Sequence, residues 1–144
     1  FIKLNIKFND KYINIANQII EKYKLHNFCC IHLRMEDDAI KFTQKKLDKL
    51  DTNLVNDIYK QTYINEIEII SKLDVNIYIC TSLGMSDNIN NLFYKVIKKE
   101  NNLIDKYEFM KDIELYDSNF NHRELFGIID YLIALKSNYF IGCD

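Results

Sequence analysis

Apolar and polar positions along this chain repeat with two different periods. From Lys11 to Lys24, the residues Ile13, Ala16, Ile19, Ile20 and Tyr23 recur at helical spacing and predict an amphipathic helix. Phe28-Cys29-Cys30-Ile31 is continuously apolar, and His32-Leu33-Arg34-Met35 then alternates, the pattern of a buried parallel strand. The polar stretch from Glu36 to Asp51 reads as loop with a short helix. Thr52 to Lys72 reads as helix, with Leu54, Ile58, Ile64, Ile67 and Ile70 as its approximate stripe. Val75 to Thr81 is a second strand, ended by Ser82 and Gly84. Ser86 or Asp87 then offers a cap for a helix reaching about Lys99. Ile113 to Tyr116 is a short strand candidate. Asn121 precedes a helix carrying Leu125, Ile128, Ile129, Leu132 and Leu135, and Tyr139 to Cys143 forms the last strand.

Strands alternating with helices predict an α/β fold, a Rossmann-like parallel sheet flanked by helices on both faces. No internal repeat and no Pro/Gly/Ser-rich linker divides residues 1–144, which read as a single unit. Ligands of such sheets bind beyond the carboxyl ends of the strands. That directs attention to Arg34–Asp38, Thr81–Asp87 and the residues at and beyond Asp144.

Composition narrows the functions available. The net charge of -2 leaves no basic footprint for nucleic acid, and no apolar run approaches the roughly 20 residues needed to span a bilayer. With only three glycines and no proline, the chain holds neither a GxGxxG fingerprint nor a Walker A loop. A GxSxG elbow is absent as well. Dehydrogenase and P-loop NTPase readings fail on that ground. The abundance of Asn, Ile, Lys and Tyr fits an AT-rich coding sequence. Only Arg34 and Arg123 are arginine among 19 basic residues, so each invites attention for its bidentate fork. Cys29 and Cys30 are adjacent, which suits neither a metal knuckle nor a disulfide framework; with Cys80 they read as small core residues.

The richest segment is His32-Leu33-Arg34-Met35-Glu36-Asp37-Asp38. Strand alternation puts His32 and Arg34 on one face. At a strand's carboxyl edge, Arg34 could clamp a diphosphate or simply pair with a neighbouring acid. His32 could line a pocket or be a core histidine. Glu36 or Asp38 could hold Arg34 or meet a sugar hydroxyl, and a lone acidic cluster makes a poor metal site. Asp130 lies in the apolar stretch from Gly127 to Leu135 and must be paired, outward-facing or aimed at a ligand. Lys136 is its nearest cation in sequence. A purine base is one ligand it could read.

These residues carry a family resemblance. His32-Leu33-Arg34-Met35-Glu36-Asp37-Asp38 resembles the HLRxExD element of the GDP-fucose O-fucosyltransferase superfamily, especially its plant-type branch. Ile77-Tyr78-Ile79-Cys80-Thr81 resembles that family's second strand. Ile128-Ile129-Asp130-Tyr131 and Lys136–Gly142 resemble its later helix and strand, in the expected order. The resemblance implies the C-terminal, donor-binding half of a GT-B glycosyltransferase, with GDP-fucose as donor and a protein or glycan hydroxyl as acceptor. It implies that Arg34 is catalytic, holding the β-phosphate and stabilising the GDP leaving group. His32, Glu36, Asp38, Thr81 and Asp130 would complete the donor site, with Asp130 accepting hydrogen bonds from guanine. Inversion at the fucose carbon without a metal or other cofactor is part of the same expectation.

An acceptor-binding N-terminal half and a nucleotide-holding loop past Asp144 would lie outside this chain. It opens on Phe1 and reads as a processed or cropped piece. Eukaryotic relatives work in the ER or Golgi lumen, although these cysteines do not demand an oxidising compartment. Two other readings stay open: a GT-B glycosyltransferase using a different nucleotide sugar, and a non-catalytic nucleotide-binding or structural domain.

Overall fold

The structure is a computed structural model that describes residues 7–33, 37–46, 51–80, 103–105 and 122–142. Helix α1 (Asp10–Lys22) starts at Asn9, whose Oδ1 accepts the Lys11 N–H at 2.9 Å. Asp10 in the first turn and Lys22 in the last complement the helix dipole. It ends as a Schellman motif. Lys24, at φ 52°, donates its N–H to the Glu21 carbonyl, and Leu25 donates to that of Ile20.

Strand β1 (Phe28–His32) follows, then α2 (Asp37–Lys46) and α3 (Thr52–Ile70). Asp51 caps α3 by accepting the Asn53 N–H at 2.8 Å. A 3-10 turn (Ser71–Leu73) with Asp74 in the left-handed region leads into β2 (Asn76–Cys80). The remaining described elements are β3 (Leu103–Asp105), α4 (His122–Ala134) and β4 (Tyr139–Ile141).

The four strands form one parallel sheet in the order β3-β2-β1-β4. Alternation along each strand divides the core in two. Phe28, Cys30, Tyr78, Cys80 and Ile104 face α1 and α4, packing on Ile15, Ala16, Ile19, Leu125, Ile129 and Ile133. Cys29, Ile31, Leu33, Ile77 and Ile79 face α3 and pack on Tyr63, Ile67 and Ile70. Because both faces are covered, Phe28–Ile31 of β1 and Ile77–Cys80 of β2 are buried without interruption rather than alternating. The expected Rossmann-like α/β sheet is the observed fold.

Three details differ from the pattern-based expectation. The inner stripe of α3 is Val55, Tyr63, Ile67 and Ile70, whereas Leu54 and Ile58 are exposed. Two apolar lines run along this helix, and the buried one uses a tyrosine that polarity alone assigns outward. Strand β3 at Leu103–Asp105 was not anticipated, being three residues long. The strand expected at Ile113–Tyr116, the helix expected from Ser86 or Asp87 to about Lys99 and the Asn121 cap lie outside the described residues. Cys29, Cys30 and Cys80 are buried free thiols, as their apolar settings imply.

Candidate functional site at the strand ends

Strand order locates the crevice. From β1 the chain winds outward through β2 to β3, then returns past β1 to place β4 on its other side. The chain leaves β1 toward β2 while β4 lies on the opposite side of β1, so the strand order reverses between β1 and β4, and their carboxyl ends form the topological switch point where such sheets bind ligands. His32 is the last residue of β1 and is exposed, in contrast to the four fully covered residues before it. Its strand-end neighbour is Gly142: a Cβ built there would stand 3.7 Å from the His32 Cβ.

Several contacts fix this edge. The Leu33 N–H donates to the Cys80 carbonyl at 2.8 Å, carrying the β1–β2 ladder past His32. Tyr63 of α3 is buried and donates its hydroxyl to the His32 carbonyl at 3.0 Å. At the opposite end of β4, Asn138 joins β1 twice. Its Oδ1 accepts the Phe28 N–H at 3.1 Å, and its own N–H donates to the Phe28 carbonyl at 3.0 Å. Arg34 comes two residues after His32, so this bracing fixes the point from which its segment departs.

Arg34, Glu36 and Thr81 lie outside the described residues, and Asp38 falls in the first turn of α2. Asp130 is described. Among the described residues it is the one charged side chain that is buried, at 8% exposure, and its Oδ1 accepts the Tyr78 hydroxyl at 2.7 Å. The partner comes from β2 across the sheet–helix interface, while Lys136 donates to Asn17 of α1 at 2.6 Å. The Cys80 thiol points to the Asp130 carbonyl at 3.8 Å and lies 3.4 Å from the Cys30 sulfur. Burial, followed by the nearby Asp130 charge, pushes the Tyr78 phenol well above its ordinary value. The phenol thus stays protonated as a donor to the carboxylate. Helix α4 runs away from the strand ends, so Asp130, eight residues past its start, lies about 12 Å along the helix axis from that start.

Sequence reading carried the first strand on to Met35, whereas β1 ends at His32. It missed Tyr63 as the brace on the His32 carbonyl, Tyr78 as the partner of Asp130 and Asn138 as the link between β4 and the start of β1. Of these only Tyr78, between Ile77 and Ile79, had a setting that hinted at burial. Among the described residues, no group of three or more His, Cys, Asp or Glu side chains is placed to hold a metal ion. No helix among them is long and apolar enough to cross a membrane.

A family model described as GDP-fucose protein O-fucosyltransferase matches residues 2–144. The chain belongs to the GDP-fucose protein O-fucosyltransferase family. No curated protein and no solved structure matches it significantly. Members are glycosyltransferases, and membership implies GDP-fucose-dependent transfer of fucose to an acceptor. The family's donor is a nucleotide diphosphate sugar, the class of ligand that the switch point of a doubly wound sheet accommodates.

Proposed function

We propose that this chain is the donor-binding half of an O-fucosyltransferase, holding GDP-fucose across the carboxyl ends of β1 and β4. The observation that carries the reading is the placement of His32, exposed at the end of β1 and adjacent to Gly142 of the β4 end, in a member of this family. Arg34, two residues on, is the catalytic residue in this reading. When the bond between the fucose anomeric carbon and the β-phosphate oxygen breaks, GDP gains negative charge. A guanidinium fork offers paired hydrogen bonds to that developing charge without a metal. The acceptor hydroxyl attacks the opposite face of the sugar and gives up its proton to the departing GDP phosphate or to water, so the glycosidic bond forms with inverted configuration.

His32 lines the diphosphate pocket. Glu36 and Asp38 hold Arg34 or the sugar hydroxyls, and Thr81 borders the pocket from the end of β2. Asp130 reads guanine through its carboxylate, with Tyr78 holding Oδ1 in place. The N-terminal half of the two-part GT-B architecture would bind the acceptor, whose protein or glycan hydroxyl receives the fucose.

Calorimetric titration with GDP, using UDP and ADP as controls, tests the reading. Selective GDP binding supports it, and a longer chain that includes an acceptor-binding half should then transfer fucose. Equal binding of all three nucleotides would point to a different donor. GDP binding without turnover in the longer chain would leave a non-catalytic nucleotide-binding domain.

A further inference from the structure

The buried stripe of α3 is aliphatic except at one position. The side chains of Val55, Ile67 and Ile70 hold no polar atom, whereas Tyr63, 1% exposed, ends in a hydroxyl. A phenylalanine would fill nearly the same volume without bringing into the core a polar group that is costly unless bonded. What the hydroxyl adds is a bond to the His32 carbonyl at 3.0 Å. That carbonyl belongs to the peptide group joining His32 to Leu33, and the N–H of the same group donates to the Cys80 carbonyl at 2.8 Å. Both ends of this peptide are therefore held, one by β2 and the other by α3. The Leu33 side chain is buried in the same cluster as Tyr63, so the residue just before Arg34 is fixed as well. The pairing of β4 with β1 stops at Ile31, and the carbonyl of the exposed His32 lies past that ladder. Water could satisfy a carbonyl at such a strand end, so the fold alone does not require a side-chain donor there.

We propose that Tyr63 is a positioning residue of the donor site. Its hydroxyl locks the orientation of the peptide that leaves β1, and with it the direction in which the chain carries Arg34 toward the diphosphate. This rests on the reading of Arg34 as the residue that holds the β-phosphate. It adds a residue that touches no ligand and acts through one backbone carbonyl. Such bracing matters because hydrogen bonds weaken steeply when misaligned, and a paired guanidinium–phosphate contact needs both of its bonds in line.

The test is Tyr63→Phe in the whole chain, titrated with GDP and with GMP, which lacks the β-phosphate, at a temperature where unfolding is negligible. GDP binding should weaken about threefold to tenfold, the scale of one neutral hydrogen bond, while GMP binding stays within about twofold. Unchanged GDP affinity, or equal weakening of both nucleotides, overturns the proposal. Ile67→Val loosens the packing of α3 on the sheet without touching the hydroxyl, and it should leave GDP affinity in place. A loss as large as that of Tyr63→Phe would assign the effect to packing, and the proposal would fall. In an Arg34→Ala background Tyr63→Phe should cost little further GDP affinity, because it acts through that side chain; additive losses refute the route. Arg34→Ala also separates this failure from a failure of the donor-site reading. If it weakens GDP while Tyr63→Phe does not, only the role of Tyr63 is lost. If the unaltered chain binds no GDP, both fall together.

Discussion

Tyr78→Phe removes one hydroxyl from the core and leaves the ring in place. In the folded chain that hydroxyl donates to Asp130 Oδ1 at 2.7 Å, with Tyr78 fully buried and Asp130 nearly so. A hydrogen bond to a charged group contributes about 1.5–3 kcal/mol net, and a buried carboxylate deprived of a donor lies toward the upper part of that range. With an unfolding entropy of about 2.1 cal/mol/K per residue, a chain of this length loses roughly 3 °C of melting temperature per kcal/mol. The expected fall is therefore about 5–10 °C at pH 7. Urea unfolding should show a lower midpoint at an unchanged slope. The assay becomes specific to the pair in a double-mutant cycle with Asp130→Asn, where the coupling between the two sites should exceed about 1 kcal/mol. A Tyr78→Phe variant within about 0.5 kcal/mol of the parent, or a cycle that is simply additive, would refute the claim that this bond ties α4 to β2.

The other expectations concern ligand, helix and pH. Arg34→Ala should weaken GDP binding by about 1.5–3 kcal/mol by calorimetry, and unchanged affinity in a folded variant would remove Arg34 from the site. Asp130→Asn should weaken GDP more than UDP, and equal losses would reject guanine reading by this carboxylate. Gly127→Ala should raise the urea midpoint by the equivalent of about 0.5–1 kcal/mol, because Gly127 lies exposed in α4 with open space around it; a lowered midpoint would contradict that. Alkaline stability should fall in a defined window. Burial pushes the Cys29 thiol from 9.0 up to about 12, with Cys30 and Glu66 adding to it, and the Tyr78 phenol is also raised. Both groups hold their protons more tightly folded than unfolded, so their contribution is whole below about pH 9 and is lost as pH climbs toward 12. A urea midpoint that stays flat from pH 8 to 11, in roughly unit steps, would contradict this, and Cys29→Ala should flatten the decline.

Much of the fold could be read from the chain because β1 and β2 are buried on both faces. Phe28–Ile31 and Ile77–Cys80 therefore announce themselves as apolar runs, and α1 and α4 carry clear helical stripes. Strand β3 stayed hidden, since three residues with Ile104 as the buried one carry no period. The α3 stripe was read correctly at Ile67 and Ile70 but not at its start, because Leu54 and Ile58 are as apolar as the residues that face the core. The choice between the two lines is made by the sheet, not by the helix. For the same reason Asp130 showed that it needed a partner without showing which one. Tyr78 lies 52 positions away, and only packing brings them together. The pairing of the His32 and Gly142 strand ends depends on strand order, which no local pattern encodes.

The way β4 joins the sheet has a consequence for synthesis. Asn138 meets Phe28 across 110 positions, whereas β2 reaches β1 after about half as many. By loop-closure entropy the longer span costs roughly 0.7 kcal/mol more, a small penalty in equilibrium terms. In time the difference is larger, because a chain emerging from the ribosome at about 5–20 residues per second delivers β1, β2 and β3 well before β4 exists. During that interval the nascent chain can assemble three strands of the sheet while holding only one wall of its crevice. On the donor-site reading, nucleotide binding would then report the arrival of β4 in the sheet.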